Sequence, residues 1–130
     1  MLEQLEVLRM AGALAQNAEA RQQAIAKNVA NADTPGYRAV DVPSFADTYA
    51  AADGLAMRAT QPGHITAIQE TVAAVPKAIA RPGSESPDGN TVTLEQQMVA
   101  ATQVKQQHDM ALAIYRKATG MLRIALGVAK

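Results

Sequence analysis

NVANADTPGYRAVDV, residues 28–42, is the stretch on which the fold turns. It follows an alanine-rich run with no proline before residue 35. Asn28 and Asn31 are poor helix-interior residues, because their amides compete for main-chain groups. Asp33 and Thr34 continue that tendency. Pro35 drives Thr34 out of the α region, so a helix arriving from the N-terminus has to end before it. Pro35-Gly36 suits the two central positions of a type II turn, in which glycine supplies the positive φ. Tyr37 then places one large amphipathic ring just past the turn. The stretch reads as a helix stop followed by a rigid corner with an aromatic anchor. An ordinary helix end and turn would use the same residues.

Upstream, Leu8, Ala11, Ala15, Ala18, Gln22, Ile25, Val29 and Ala32 recur at steps of 3 and 4. That is a narrow, small-residue seam of heptad type, and it predicts a helix over 3–31. Downstream, Ala101, Val104, His108, Ala111, Tyr115, Ala118, Leu122 and Ala125 repeat the pattern. Thr93 with Gln96 offers a capping-box start, which predicts a second helix over 93–128. Arg116, Lys117, Arg123 and Lys130 crowd its last turns, where cations complement the helix dipole. Gly120 and Gly127 weaken it locally.

All six prolines (Pro35, Pro43, Pro62, Pro76, Pro82 and Pro87) lie between the two helical patterns. Five of the eight glycines lie there as well. The sequence therefore divides into an N-terminal helix (1–32), an irregular middle (33–92) and a C-terminal helix (93–130). The expected fold is mostly α, a coiled-coil-like hairpin of two long helices with a Pro/Gly-rich middle. The helices together would form one assembly domain. Within the middle, 44–52 reads as a short helix, 54–60 as a short extended piece and 81–90 as a turn-rich loop.

Composition narrows the function. The 130 residues carry 12 acids and 12 bases, so no strong field points to nucleic acid or a membrane surface. Residues 31–90 carry a net charge of −3 and residues 91–130 a net of +3. No apolar run approaches the ~18–20 residues needed to span a bilayer. No secretory signal pattern opens the chain, so export would use a route without a cleaved signal peptide. There is no cysteine, no His-x-x-x-His spacing and no glycine-rich phosphate loop. His64 stands alone and His108 falls on a packing seam. Neither an enzyme nor a metal or cofactor site is expected. Only four aromatics are present, and alanine buries little area, so two such helices would leave apolar surface for partners on other molecules.

The segment 28–37 resembles the signature of the flagellar rod, hook and hook-associated axial proteins, Asn-(Ile/Val)-Ala-Asn-x-x-Thr-Pro-Gly-Tyr. Asn28, Val29, Ala30, Asn31, Thr34, Pro35, Gly36 and Tyr37 carry the match, with Asp33 in the variant typical of short proximal rod members. "ARQQAIAKN" (20–28), "ATQPGHI" (59–65) and "GNTVTLEQQMVA" (89–100) resemble further segments of that family, so the similarity runs through nearly the whole chain. The resemblance implies a structural subunit of the proximal rod in the flagellar basal body. Such a subunit is exported by the flagellar type III apparatus, assembles in the periplasmic space and transmits motor torque. Implied partners are FlgC-, FlgF- and FlgG-like rod proteins, FliE and the MS ring, with self-association. The assembly motif would be Asn28–Asn31 with Asp33–Tyr37. The helix-packing seam would be Leu8, Ala15, Ile25, Val29, Val104, His108, Tyr115 and Leu122. Exported members carry a Phe-x-x-x-apolar element near the N-terminus; here Met10 and Leu14 have the spacing without the ring. The alternative from the residues alone is a soluble helical adaptor or export chaperone.

Overall fold

The computed structural model describes residues 2–53, 79–80 and 85–127. The fold is mostly α. Helix α1 spans Leu2–Ala30 and helix α3 spans Leu94–Ala125. Between them lie β1 (Val40–Asp41), α2 (Phe45–Asp53) and β2 (Ile79–Ala80). The two short strands pair antiparallel, Val40 opposite Ala80 and Asp41 opposite Ile79. None of the described helices is long and apolar enough to cross a membrane.

α1 and α3 run antiparallel. Asn28 near the end of α1 bonds Gln97 near the start of α3, and Arg21 bonds Gln107 further along. The buried seam is narrow. On α1 it holds Ala11, Ala18 and Ile25, and on α3 Gln97, Val104, Ala111 and Ala118. Both sets recur every seven residues, the period of helices that stay in contact along their length. Ala18, Ile25 and Val104 form the central cluster, with Ala100 and Ala101 packed against it. Alanine at most of these places has no bulk to hold two helices apart.

Several seam residues depart from the expected pattern. Leu8, Ala15, His108 and Leu122 are only half-buried, while Gln22 and Ala125 are exposed. Val29 is 42% exposed and Tyr115 is 48% exposed. At the level of Val29, α1 is covered on its Asn28 side by the returning chain and Gln97, so the valine faces outward. Tyr115 falls between Ala111 and Ala118, and its ring is held at the margin of a seam built for methyl groups.

The ends of α3 differ from expectation too. Thr93 is the N-cap residue, with extended backbone (φ −108°, ψ 113°), yet its side chain makes no capping hydrogen bond. The hydroxyl half of the expected capping box with Gln96 is therefore not formed. The helix stops at Ala125 rather than 128, because Gly127 adopts φ +68° and turns the chain out of the helix. α2 begins as a capped helix. Ser44 Oγ donates to Asp47 Oδ2 at 2.6 Å and accepts from the Asp47 N–H at 3.3 Å. The extended piece expected over 54–60 and His64 lie outside the described residues.

Candidate functional site

Among the described residues outside the helices, the corner at residues 28–42 gathers a dense set of hydrogen bonds. α1 reaches it with main-chain carbonyls that need partners. Asn31 Nδ2 folds back to the Lys27 carbonyl at 2.8 Å, and the Asn31 and Ala32 amides donate to the carbonyls of Asn28 and Val29. The turn follows. The Tyr37 N–H donates to the Thr34 carbonyl at 3.2 Å across Pro35-Gly36. Gly36 has φ +72°, as position three of a type II turn requires.

Beyond the turn the chain doubles back along α1. Asn28, 2% exposed, meets it there. Its Oδ1 accepts the Val40 N–H at 2.9 Å while its Nδ2 donates to the Val40 carbonyl at 2.7 Å. The same amide reaches Gln97 Oε1 at 3.1 Å, and the Tyr37 hydroxyl donates to Oδ1 at 3.4 Å. Further back along α1, Asn17 Nδ2 donates to the Pro43 carbonyl. Arg21 Nε sits 3.9 Å from Asp41 Oδ1, an ion pair without a hydrogen bond at that nitrogen. Asn28 and Asn17 thus act as a side-chain ladder for a strand that lies beside a helix.

The second half of the corner comes from residues 85–93. Asn90, also 2% exposed, directs Nδ2 to the carbonyls of Asn31, Ala32 and Thr34 at 3.1, 2.7 and 2.9 Å. One amide has two protons, so one of them is shared between two acceptors. Asn90 Oδ1 accepts from the Val92 N–H and its own N–H donates to Asp88 Oδ1. The Gly36 N–H donates to the Asp88 carbonyl at 2.9 Å and the Thr91 N–H to the Tyr37 carbonyl at 3.0 Å. Thr91 Oγ1 accepts the buried Ala39 N–H at 2.8 Å. Gly89 packs on Gly36, close enough that an added Cβ would stand 3.5 Å from the Gly36 Cα.

The structure brings Asn28, Asn31, Thr34, Gly36 and Tyr37 into one network. Val29, Ala30, Asp33 and Pro35 face solvent at its outer edge. His108 lies apart from the corner, on an open groove of about 440 Å³ with Ala18, Gln22 and Val104. Asn90, Thr91 and Gln97 were absent from the residues expected at the site. The one signal in their favour was the Gly-Asn-x-Val-x-Leu-Glu pattern, which announces a helix start without revealing what Asn90 caps. Among the described residues no group of three His, Asp or Glu side chains could hold a metal ion. The corner offers fixed geometry, with a helix end, a reversal and a returning strand held in one arrangement.

The comparisons with known proteins fall on this architecture. A family model described as "Flagella basal body rod protein" matches residues 10–38, most of α1 and the turn. The chain is 30% identical over 115 residues to the flagellar basal body rod protein FlgB of Salmonella typhimurium, covering 82% of this chain and 83% of the relative. It is 34% identical over 112 residues to FlgB of Cereibacter sphaeroides, covering 84% and 85%. It is 26% identical over 118 residues to FlgB of Agrobacterium fabrum, covering 88% of each. With these matches running through both helices and the corner between them, the chain belongs to the FlgB family of flagellar basal body rod proteins.

Proposed function

We propose that this chain is a proximal rod subunit that polymerises with FlgC-, FlgF- and FlgG-like proteins above FliE and the MS ring, and transmits torque through the array. The observation that carries this reading is the corner. A strut loaded in torsion needs a fixed angle between its helices and the segment that leaves them. Asn28 and Asn90 supply that angle with side chains nearly closed to solvent. The helices add support, since Leu5, Val7, Met10, Met98, Val99, Met110, Ile114, Met121 and Ile124 all stand exposed on them. So much apolar surface is unusual for a protein that works alone.

In this reading the helices form one assembly domain and the middle segment leaves from the corner. The motif residues Asn28–Asn31 and Asp33–Tyr37 hold the geometry through which neighbours are met. Export precedes assembly and uses the flagellar type III route, which puts the working subunit in the periplasmic space. The role is mechanical and involves no catalysis.

Deletion of the gene tests it. Basal bodies imaged by electron microscopy should retain the membrane ring and lack rod, hook and filament. Intact rods and normal swimming, with no duplicate gene present, would overturn the assignment and favour a helical adaptor or export chaperone.

A further inference from the structure

The chain has six methionines and no cysteine. Its only sulfur atoms are thioethers, so no thiol within the chain meets an oxidant first. The methionines whose side chains are described, Met10, Met98, Met110 and Met121, are 42, 63, 52 and 52% exposed. None of them belongs to the packed seam, which is built from alanine, isoleucine and valine with Gln97 at one end.

Two of the four share a face. Met110 and Met121 are eleven residues apart, which is about three helical turns or roughly 16 Å along α3. Ile114 and Ile124 lie on the same stripe, 38 and 70% exposed. Ala111 and Ala118 of the packed seam lie about a quarter-turn round the helix from it. Lys117 is exposed one turn before Met121, where its ammonium can reach an oxygen placed on that sulfur.

We infer that Met110 and Met121 form a reversible oxidation site that switches the outer face of α3 from apolar to polar while the hairpin stays folded. With a peroxide as oxidant, the thioether sulfur attacks one peroxide oxygen. The S–O bond forms, the O–O bond breaks, and the departing hydroxide takes a proton to leave as water. Sulfur loses two electrons and the peroxide gains them. A sulfoxide reductase reverses the step with two thiols, which become a disulfide as the oxygen leaves as water. The sulfoxide is a polar, chiral acceptor where a flexible apolar chain stood. Its consequence for assembly rests on the rod reading above, in which this face meets a neighbour and a built rod shields it.

The test uses the purified full-length chain and graded hydrogen peroxide. Peptide mapping should find one added oxygen on Met110 and on Met121. Retention on a hydrophobic-interaction column should fall with the same dose dependence. The helical circular dichroism signal should stay unchanged, with a melting shift no larger than about 2–4 °C, as for a surface substitution. The Met110→Leu/Met121→Leu double variant should keep most of its retention at the same dose. Methionine sulfoxide reductases for both epimers should restore the oxidised chain. Unchanged retention with both sulfoxides formed, loss of helix, or equal retention loss in the double variant would each overturn the proposal. None of these measurements needs a rod, so they stand or fall separately from the deletion experiment.

Discussion

Asn28 holds both polar groups of the Val40 main chain, accepting its N–H at 2.9 Å and donating to its carbonyl at 2.7 Å. A helix side chain thereby does what a neighbouring strand would do. This pairing lets the chain return along α1 with its backbone groups satisfied beside a helix that has none to spare.

Asn28→Ala leaves the Val40 N–H and carbonyl, the Tyr37 hydroxyl and the Gln97 amide short of a partner. The expected loss is about 2–4 kcal/mol, above a typical single hydrogen bond because more than one buried group is orphaned. Urea denaturation followed by circular dichroism measures it. Wild-type stability in this variant would contradict the role given to Asn28.

Asn90→Ala removes the contact between residues 85–93 and the end of α1. Amide hydrogen exchange should accelerate at Gly36, Ala39 and Thr91, whose N–H groups are bonded within the corner. Mid-helix amides near Val104 should change far less. Uniform acceleration along both helices would mean that Asn90 supports the whole hairpin rather than its corner.

Gly36→Val puts a β-branched side chain at φ +72°. A Cβ there meets nothing within 4 Å, so the penalty comes from the backbone and not from a clash. It is expected to be about 1–3 kcal/mol. In cells the variant, like Pro35→Ala, should impair rod assembly more than export. Secreted subunit and basal bodies are scored side by side, and normal motility in both variants would count heavily against this account of the turn.

Val104→Ala and Tyr115→Ala make opposite demands on the seam. Val104 is 1% exposed in the central cluster, and its truncation should cost about 1–3 kcal/mol. Tyr115, half exposed, should change monomer stability by less than about 0.5 kcal/mol. Thermal melts of the two variants compare them, and a larger loss at Tyr115 would show that the tyrosine is part of the hairpin core.

Much of this arrangement was legible in the residues. The absence of proline from both ends and the 3–4 spacing located α1 and α3. Asn31, Thr34 and Pro35 announced where α1 stops, and the Tyr37 N–H closing on Thr34 gives the expected turn. The seam was harder. Steps of 3 and 4 named Val29 and Tyr115 along with Ile25 and Val104, since periodicity identifies a stripe without saying where a partner covers it.

The sequence by itself determined the local events, the helices, the stop and the positive φ at Gly36, because each depends on a few adjacent residues and their sterics. Only the tertiary structure decided what Asn28 and Asn90 do. Both are polar residues whose local chemistry allows several uses. Their partners, Val40 and Gln97 for one and the carbonyls of Asn31, Ala32 and Thr34 for the other, become available only once the chain has reversed and α3 has docked. A hydrogen bond is set by distance and angle in space, and separation along the chain carries little information about either.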